Sequence, residues 1–373
     1  MLRLSDRVRD IAAGLAIGLF VAPVAQAGDW TSFRGDGSLS GVATEVLTPP
    51  LGLSWTFSID EGSESSPAIA GDTVYVAGLD GVLYALDLAG GKERWRYTTP
   101  DEIKSSPSVF DGTVYFGDEG GVFHAVETTT GKARWTFTTD GGIISSANRL
   151  DDLVLFGSYD QFLYALDIES GELAWKVETD AYVHATPAIG NGQAYIAGCD
   201  GYFRGIKVAD GVEGAKISLG GYVAASPAVS GNRAFVGSFE NEVLGIDLVA
   251  GTVLWRYQHP ERNFPFYSSP AVRGDTVVIG GRDKFVHALD AATGENRWQF
   301  SMRARVDASP VISGDLVYVA DRSGDLLALD LGTGGERWRF ETGEDIGGSP
   351  ALGQGRLVVT TLDGTVFAFS RKQ

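Results

Sequence analysis

A single unit of sequence recurs eight times in one register along this chain, and the recurrence limits the fold more than any other feature does. A proline position repeats every 40 residues, with one interval of 43: Pro67, Pro107, Ala147, Pro187, Pro227, Pro270, Pro310 and Pro350. A tryptophan position keeps the same register: Trp55, Trp95, Trp135, Trp175, Ala215, Trp255, Trp298 and Trp338. Such a period predicts a repeat architecture in which neighbouring units bury each other's apolar faces.

Each unit is predicted to form four short β-strands. In the first full unit, the segments 67–69, 73–76, 82–86 and 94–97 are rich in β-branched and aromatic residues, a composition that favours strands over helices. Asp80-Gly81 predicts a type I′ hairpin turn, in which both central residues have positive φ. A proline at the start of the first strand confines that strand to a sheet edge, because proline cannot donate a ladder hydrogen bond.

The two ends of the repeat array predict a closed ring. The last unit ends after three strands, and the first tryptophan strand, residues 53–57, has no strands of its own unit before it. Joining the two completes an eighth blade and removes exposed sheet edges. The sequence therefore predicts an all-β, eight-bladed β-propeller over residues 53–373, with four antiparallel strands per blade, and a lead-in segment over residues 28–52.

Residues 1–27 have the pattern of a secretory signal peptide. Three arginines precede a short apolar stretch, and Ala25-Gln26-Ala27 provides a cleavage pattern. No cysteine follows the stretch for a lipid anchor, and no later window is apolar enough to span a membrane. We expect a periplasmic or secreted monomer without a transmembrane segment after cleavage.

Composition excludes several classes of function. The net charge of −18 argues against nucleic acid as a partner. One cysteine, Cys199, excludes an intramolecular disulfide and a multi-cysteine metal site. No catalytic motif is evident, so we predict no catalytic, metal or cofactor residues. His124 and His287 are expected to pack within blades, whereas His184 lies in a loop that enters the channel.

The candidate binding residues are positions that vary among units where the fold tolerates variation. Three residues before the proline position stand Glu64, Lys104, Ile144, His184, Ala224, Tyr267, Asp307 and Gly347. The three extra residues of the ring fall in the aromatic loop 259–267, beside several arginines. Arginine and aromatic residues are enriched at interfaces. The predicted partner site comprises Phe264, Phe266, Tyr267, Arg282, Arg303, Arg305, Arg322, Lys104 and His184. In the alternative interpretation, the arginines simply pair with Asp283, Asp307 and Asp321.

The repeat resembles the tryptophan-docking motif of quinoprotein-type, or pyrroloquinoline-quinone-like, β-propellers. The motif reads Ala85-Leu86-Asp87, then Gly91 and Trp95, and it recurs around the ring. In size, acidity and blade regularity the chain is more similar to the non-catalytic scaffolds of the outer-membrane β-barrel assembly machinery (BamB) than to the quinone-dependent dehydrogenases. The dehydrogenases also place a disulfide between adjacent cysteines under the quinone, which one cysteine cannot form.

The resemblance implies a non-catalytic scaffold that binds a protein partner in the cell envelope. Two alternatives remain open at this point. One is a protein or dehydrogenase-like enzyme that binds pyrroloquinoline quinone with calcium, and the other is a propeller that binds a small ligand or glycan. The fourth unit departs from the motif at Gly205, Lys207 and Ala215, so its contact with the next blade is predicted to be the weakest in the ring.

Overall fold

The computed structural model of this chain describes residues 28–372, so the predicted signal peptide lies outside the described residues. These residues form strands joined by turns, in eight four-stranded antiparallel sheets arranged as a ring. The eight-bladed propeller is therefore confirmed. Within this range there is no helix with the length and apolarity needed to cross a membrane.

The strands of blades 1 to 4 follow chain order, after the closing strand β1 (Leu51–Ser58). They are β2 (Ala68–Ala70), β3 (Thr73–Ala77), β4 (Val82–Asp87), β5 (Glu93–Thr98), β6 (Ser108–Phe110), β7 (Thr113–Gly117), β8 (Val122–Glu127), β9 (Ala133–Thr138), β10 (Asn148–Leu150), β11 (Leu153–Gly157), β12 (Phe162–Asp167), β13 (Leu173–Glu178), β14 (Ala188–Gly190), β15 (Gln193–Ala197), β16 (Tyr202–Lys207) and β17 (Glu213–Ser218).

Blades 5 to 8 continue the same order, and blade 8 is completed by β1. Their strands are β18 (Ala228–Ser230), β19 (Arg233–Gly237), β20 (Glu242–Asp247), β21 (Thr252–Gln258), β22 (Ala271–Arg273), β23 (Thr276–Gly280), β24 (Phe285–Asp290), β25 (Asn296–Ser301), β26 (Val311–Ser313), β27 (Leu316–Ala320), β28 (Asp325–Asp330), β29 (Glu336–Glu341), β30 (Ala351–Gly353), β31 (Arg356–Thr360) and β32 (Thr365–Arg371).

Ring closure depends on the pairing of the first strand with the last. β1 pairs antiparallel with β32, from Leu51 opposite Arg371 to Ser58 opposite Thr365. The N-terminal strand thus supplies the outer strand of blade 8, as the sequence predicts. This pairing leaves no open edge between the two ends of the ring.

Tryptophan docking explains the repeated motif. Trp95 of blade 1 donates its indole N–H to the carbonyl of Thr128 in blade 2, at 2.8 Å. Its ring lies against Gly131, where a Cβ atom would fall 2.7 Å from the ring and where φ is 68°. Glycine is needed at this position because a side chain would be strained and would collide with the indole. An indole hydrogen bond of the same kind joins every pair of adjacent blades except blades 4 and 5.

The junction between blades 4 and 5 lacks this contact. Ala215 occupies the tryptophan position opposite Gly205 in the ladder. Consequently Gly251, the glycine on which an indole would rest, is so open that an added Cβ atom would meet nothing within 4 Å. The predicted weak junction therefore corresponds to an unfilled docking position in the ring.

The hairpin between β3 and β4 differs from the predicted type I′ turn. Gly81 has a φ of 73°, but Asp80 does not have a positive φ. Instead, the amide of Gly81 donates to the carbonyl of Gly78 at 3.2 Å, so Leu79 and Asp80 are the central residues and Gly81 follows in the left-handed region. The type I′ prediction was wrong because it placed the turn one residue too late.

The N-terminal strap, which we define as residues 28–47, contacts all eight blades. Seven first strands or their following turns form backbone hydrogen bonds with it, at Ile69, Val109, Ile189, Val229, Val272, Ile312 and Gln354. The remaining blade contributes Asn148, whose side-chain amide donates to the carbonyl of Gly37 at 2.8 Å. The strap therefore closes the lower end of the central channel. This end carries, in each blade, the turns that correspond to β2–β3 and β4–β5 of blade 1.

Arg34 fixes the middle of the strap. Its side chain is fully buried, and its Nη2 donates to the carbonyls of Pro310 at 2.5 Å and Pro270 at 3.3 Å. Burial lowers the pKa of Arg34 to about 9, opposed in part by the charge of Asp36. Gly41 packs closely against this guanidinium, and a Cβ atom at Gly41 would overlap Nη2, so there is no room for a larger residue there.

Candidate functional site

A polar pocket occupies the upper end of the channel, opposite the strap. The upper face carries, in each blade, the turn that corresponds to β3–β4 of blade 1, and the loops that lead from one blade to the next. The pocket has a volume of about 440 Å³, and Phe33 of the strap is part of its lining. All eight residues of the variable position three before the prolines line it, together with Tyr159, Arg282, Arg322 and Leu362 from the turns. We call it the channel pocket.

A ring of hydroxyl groups surrounds the channel pocket. Each backbone N–H at the position before the proline donates to the hydroxyl oxygen of the corresponding residue in the next blade, at 2.9 to 3.1 Å. The ring closes on itself, since the amide of Ser349 donates to the hydroxyl of Ser66. Its members are Ser66, Ser106, Ser146, Thr186, Ser226, Ser269, Ser309 and Ser349, all buried and all part of the pocket lining.

Three arginines converge on one carboxylate at the side of the pocket formed by blades 6 and 7. Arg282 donates to both oxygens of Asp307, at 2.8 and 3.2 Å. Arg305 Nε lies 3.1 Å from Asp307 Oδ2, and Arg322 Nε lies 3.0 Å from Asp345 Oδ1 and 3.9 Å from Asp307 Oδ2. Burial raises the pKa of Asp345, although the charges of the neighbouring arginines oppose this shift. We call Arg282, Arg305 and Arg322 the arginine cluster.

The arginine cluster retains hydrogen-bonding capacity after these pairings. Among residues 28–372, no hydrogen bond is formed by Nη1 of Arg282 or by the Nη atoms of Arg305 and Arg322. The guanidinium of Arg282 also lies over the ring of Tyr267, 4.5 Å from its centroid. The alternative interpretation, in which the arginines pair with acids, holds for Asp307, but pairing does not use all of their donors.

Across the pocket, His184 and Lys104 have partners of their own. The hydroxyl of Tyr159 lies 2.8 Å from His184 Nδ1. Burial lowers the pKa of His184, so the neutral imidazole is favoured, although the charge of Glu119 acts in the opposite direction. Lys104 is ion-paired with Glu119 at 3.0 Å and with Glu102 at 3.2 Å.

Exposed aromatic side chains stand on three consecutive loops of the upper face. Tyr182 is 52 % exposed, Tyr222 is 65 % exposed and Phe264 is 49 % exposed. They lie on the loops that enter blades 4, 5 and 6. The arginine cluster follows them around the ring, at blades 6 and 7. Tyr182 also stacks on Tyr159, with ring centroids 4.8 Å apart.

The structure brings six of the nine predicted site residues together in the channel pocket: Tyr267, Arg282, Arg305, Arg322, Lys104 and His184. Phe264 is exposed outside the pocket. Arg303 is also outside, where it pairs with Asp325 and Glu341. Phe266 lies in the interior against the ring of His287, 5.3 Å between centroids, so it cannot contact a partner on this surface.

Three parts of this surface could not be predicted from the sequence. The hydroxyl ring corresponds to the repeated Ser-Pro pair, but a repeated position indicates the fold and does not by itself indicate a site. Tyr182 and Tyr222 stand five residues before the prolines of their units, two positions away from the variable position that lines the channel. Phe33 lies outside the repeat, and no periodic signal could have placed it in the pocket.

The histidines predicted to pack within blades are buried there. His124 Nε2 lies 2.9 Å from Asp118 Oδ2, and His287 Nε2 lies 2.9 Å from Asp283 Oδ2. Each also lies 3.2 Å from a tyrosine hydroxyl, of Tyr97 and Tyr257 respectively. These contacts belong to the blade interior and do not reach the channel pocket.

The channel pocket does not fit pyrroloquinoline quinone held with calcium. Calcium takes six to eight oxygen ligands, many from carboxylates or amides. The pocket lining contains two carboxylates, Glu64 and Asp307, and Asp307 is engaged by the arginine cluster. Over residues 28–372, no group of three or more His, Cys, Asp or Glu side chains is placed to hold a metal ion.

Comparison with solved structures shows the same fold. BamB from Moraxella catarrhalis has a TM-score of 0.74 and 20 % identity, covering 86 % of this chain and 99 % of that one. The computationally designed Ika8 protein has a TM-score of 0.75 and 17 % identity, with coverages of 85 % and 99 %. Quinohemoprotein alcohol dehydrogenase ADHIIG from Pseudomonas putida HK5 has a TM-score of 0.79 and 14 % identity, with coverages of 92 % and 80 %. At these identities the likeness concerns the fold alone.

Sequence comparison identifies the family. No curated protein matches the chain. A family model described as outer membrane protein assembly factor BamB matches residues 52–158, 139–214, 213–284 and 282–373, which together span the whole propeller. The chain therefore belongs to this BamB family of β-propeller proteins.

Proposed function

We propose that this protein is a non-catalytic propeller that docks a protein partner of the cell envelope on its upper face. Membership of a family described as an outer membrane assembly factor supports an envelope role. The pocket residues do not fit a quinone held with calcium, and this argues against the chemistry of a quinohemoprotein dehydrogenase with the same fold. The finer proposal is that the partner belongs to the assembly of outer-membrane proteins.

The observation that carries the docking proposal is the row of exposed aromatic side chains beside the arginine cluster. Tyr182, Tyr222 and Phe264 each expose about half or more of their surface on consecutive loops. Aromatic rings that are about half or more exposed contribute little to the packing of a propeller, whereas interfaces are enriched in tyrosine, phenylalanine and arginine. The protein has a net charge of −18, but in the nearby arginine cluster three guanidinium groups outnumber the two carboxylates that pair with them.

The test compares two sets of exposed residues on opposite faces. Tyr182→Ala, Tyr222→Ala and Phe264→Ala are combined in one variant. The control combines Val212→Ala and Val249→Ala, since Val212 and Val249 are also exposed but lie on the lower face. Both variants remove exposed apolar surface, so we expect both to unfold within a few degrees of the wild type.

Tagged proteins are cross-linked in the native envelope and their captured partners are identified by mass spectrometry. We expect the wild type and the lower-face control to enrich the same envelope proteins, including outer-membrane barrels or their assembly factors. The aromatic variant should lose at least about tenfold of this enrichment, because one interface hot spot alone contributes about 2 kcal/mol or more. Equal capture by all three proteins would contradict docking on the upper face.

A further inference from the structure

We propose that the channel pocket is a binding site for a small molecule that carries an oxyanion group, either a carboxylate or a phosphate. This inference goes beyond the docking of a protein partner and stands independently of it. The docking surface consists of exposed loops, whereas the channel pocket is a polar cavity, open on the upper face, with its own set of buried donors.

The first argument is the unused donor capacity of the hydroxyl ring. Each hydroxyl oxygen of the ring accepts a backbone N–H from the preceding blade, for example Ser226 from Thr186 and Ser349 from Ser309. None of the eight hydroxyls donates to another group among the described residues, although all are at least nine-tenths buried. A hydroxyl can donate one hydrogen bond as well as accept, so the ring presents eight donors in need of an acceptor.

The second argument is the charge on one side of the pocket. The three guanidiniums of the arginine cluster outnumber the carboxylates of Asp307 and Asp345 with which they pair. Their Nη atoms that form no hydrogen bond with described residues supply further donors next to the ring. Guanidinium groups bind carboxylates and phosphates by paired, charge-assisted hydrogen bonds. Hydroxyl and guanidinium donors together therefore match an acceptor-rich anion.

The third argument is size. A volume of about 440 Å³ is in the range of about 300 to 1,000 Å³ that is typical of small-ligand sites. The strap closes the opposite end of the channel and contributes Phe33, which gives the ligand an aromatic surface to pack against. A molecule of the size of a sugar acid or sugar phosphate fits within this volume.

Glu64 provides a variant for which the proposal predicts tighter, not weaker, binding of the anion. Its side chain is exposed, lines the channel pocket and forms no ion pair among residues 28–372. A carboxylate at this position repels an anionic ligand. Glu64→Gln should therefore bind the ligand more tightly than the wild type does, while loss of an arginine should weaken binding.

The experiment titrates the purified mature protein with three hexoses that differ at one position: glucuronate, glucose 6-phosphate and glucose. Calorimetry with up to about 10 mM ligand detects dissociation constants of about 1 mM or tighter. We expect saturable binding of glucuronate or glucose 6-phosphate and none of glucose; which of the two anions binds distinguishes a carboxylate from a phosphate site. Failure of both anions to bind, or equal binding of glucose, would overturn the proposal.

Two arginines that are close in sequence provide the matched variants. Arg305→Gln removes a member of the arginine cluster, and Arg303→Gln removes an exposed arginine outside the pocket. Loss of a charge-assisted hydrogen bond should weaken anion binding by about tenfold or more in Arg305→Gln, with no change in Arg303→Gln. Equal weakening in both variants would mean that overall charge, and not the channel pocket, attracts the anion. If the wild-type protein captured no envelope partner but still bound the anion, the docking proposal alone would be refuted.

Discussion

Replacing Ala215 with tryptophan should stabilise the propeller, because the structure leaves one docking position of the ring unfilled. At the other seven junctions an indole N–H donates to a carbonyl of the next blade, as Trp175 does to Val208 at 2.8 Å. Ala215 stands in the same place in its ladder, opposite Gly205. The receiving glycine, Gly251, already has the required left-handed conformation, with a φ of 65°.

The size of the effect follows from what a docked tryptophan buries. Full burial of 150–250 Å² would contribute about 4–6 kcal/mol at about 25 cal/mol per Å². The docked tryptophans Trp95 and Trp175 keep part of their surface in water, burial areas measured against an extended chain overestimate the gain, and ordering the side chain costs about 1 kcal/mol. We therefore expect a net gain of about 1–2 kcal/mol, which corresponds to a rise of about 1.5–3 °C in the unfolding midpoint of a domain of this size.

A matched pair of glycines isolates docking from backbone strain. Gly171 and Gly251 have φ values of 72° and 65°, so alanine should cause a similar backbone penalty of about 1–2 kcal/mol at each. At Gly171 the added Cβ would also lie 2.5 Å from the ring of Trp135, whereas at Gly251 it would meet nothing within 4 Å. Gly171→Ala should therefore be clearly more destabilising than Gly251→Ala.

Thermal and denaturant unfolding of these variants completes the test. In the Ala215→Trp background, Gly251→Ala should become as destabilising as Gly171→Ala is in the wild type, because the new indole now occupies the space. If Gly251→Ala costs the same with and without the Ala215→Trp substitution, the introduced ring does not dock on the next blade. That result would refute the explanation of the repeated glycine and tryptophan positions.

Three further predictions concern the strap and the pocket. Burial lowers the pKa of His184, so its contribution to stability is complete above the unfolded pKa of about 6.5 and declines as the pH falls through the range below it. From about pH 7 to pH 5, the unfolding midpoint of the wild type should therefore fall relative to that of His184→Gln. A constant difference between the two midpoints would contradict this. Arg34→Ala should cost about 2–4 kcal/mol and expose the strap to proteolysis, because it removes two buried hydrogen bonds and leaves a cavity; unchanged protease resistance would contradict the role of Arg34. Phe33→Ala should leave the blades folded but enlarge the channel pocket, which an increase in the binding of a small apolar dye would show and unchanged binding would refute.

The sequence was sufficient to predict the ring because the fold is encoded by positions that repeat. Each tryptophan and each proline performs the same task in every blade, so eight copies in one register determine the number of blades, and the incomplete units at the two ends reveal the closure. The predicted hairpin type was wrong at Asp80-Gly81, because an Asp-Gly pair fits both a two-residue turn and a longer turn with glycine in its last position.

The pocket could be predicted only in part, because it combines repeated and unrepeated residues. The variable position three before the prolines correctly indicated which side chains enter the channel. Phe33 and Arg34 belong to the strap, which has no repeat, and the place of Arg34 depends on three-dimensional contacts with Pro270 and Pro310. Phe266 illustrates the opposite limit, since loop position alone does not distinguish an aromatic ring that faces solvent from one that fills the blade interior.

Site-specific photo-cross-linking in the native envelope tests the central proposal most directly. A photoreactive amino acid replaces Tyr222 on the upper face or, as the control, Val249 on the lower face, where the side chain is 76 % exposed. The proposal predicts a discrete cross-linked envelope protein from position 222 and none from position 249. Cross-linking from position 249 alone, or from neither position, would contradict partner docking on the upper face.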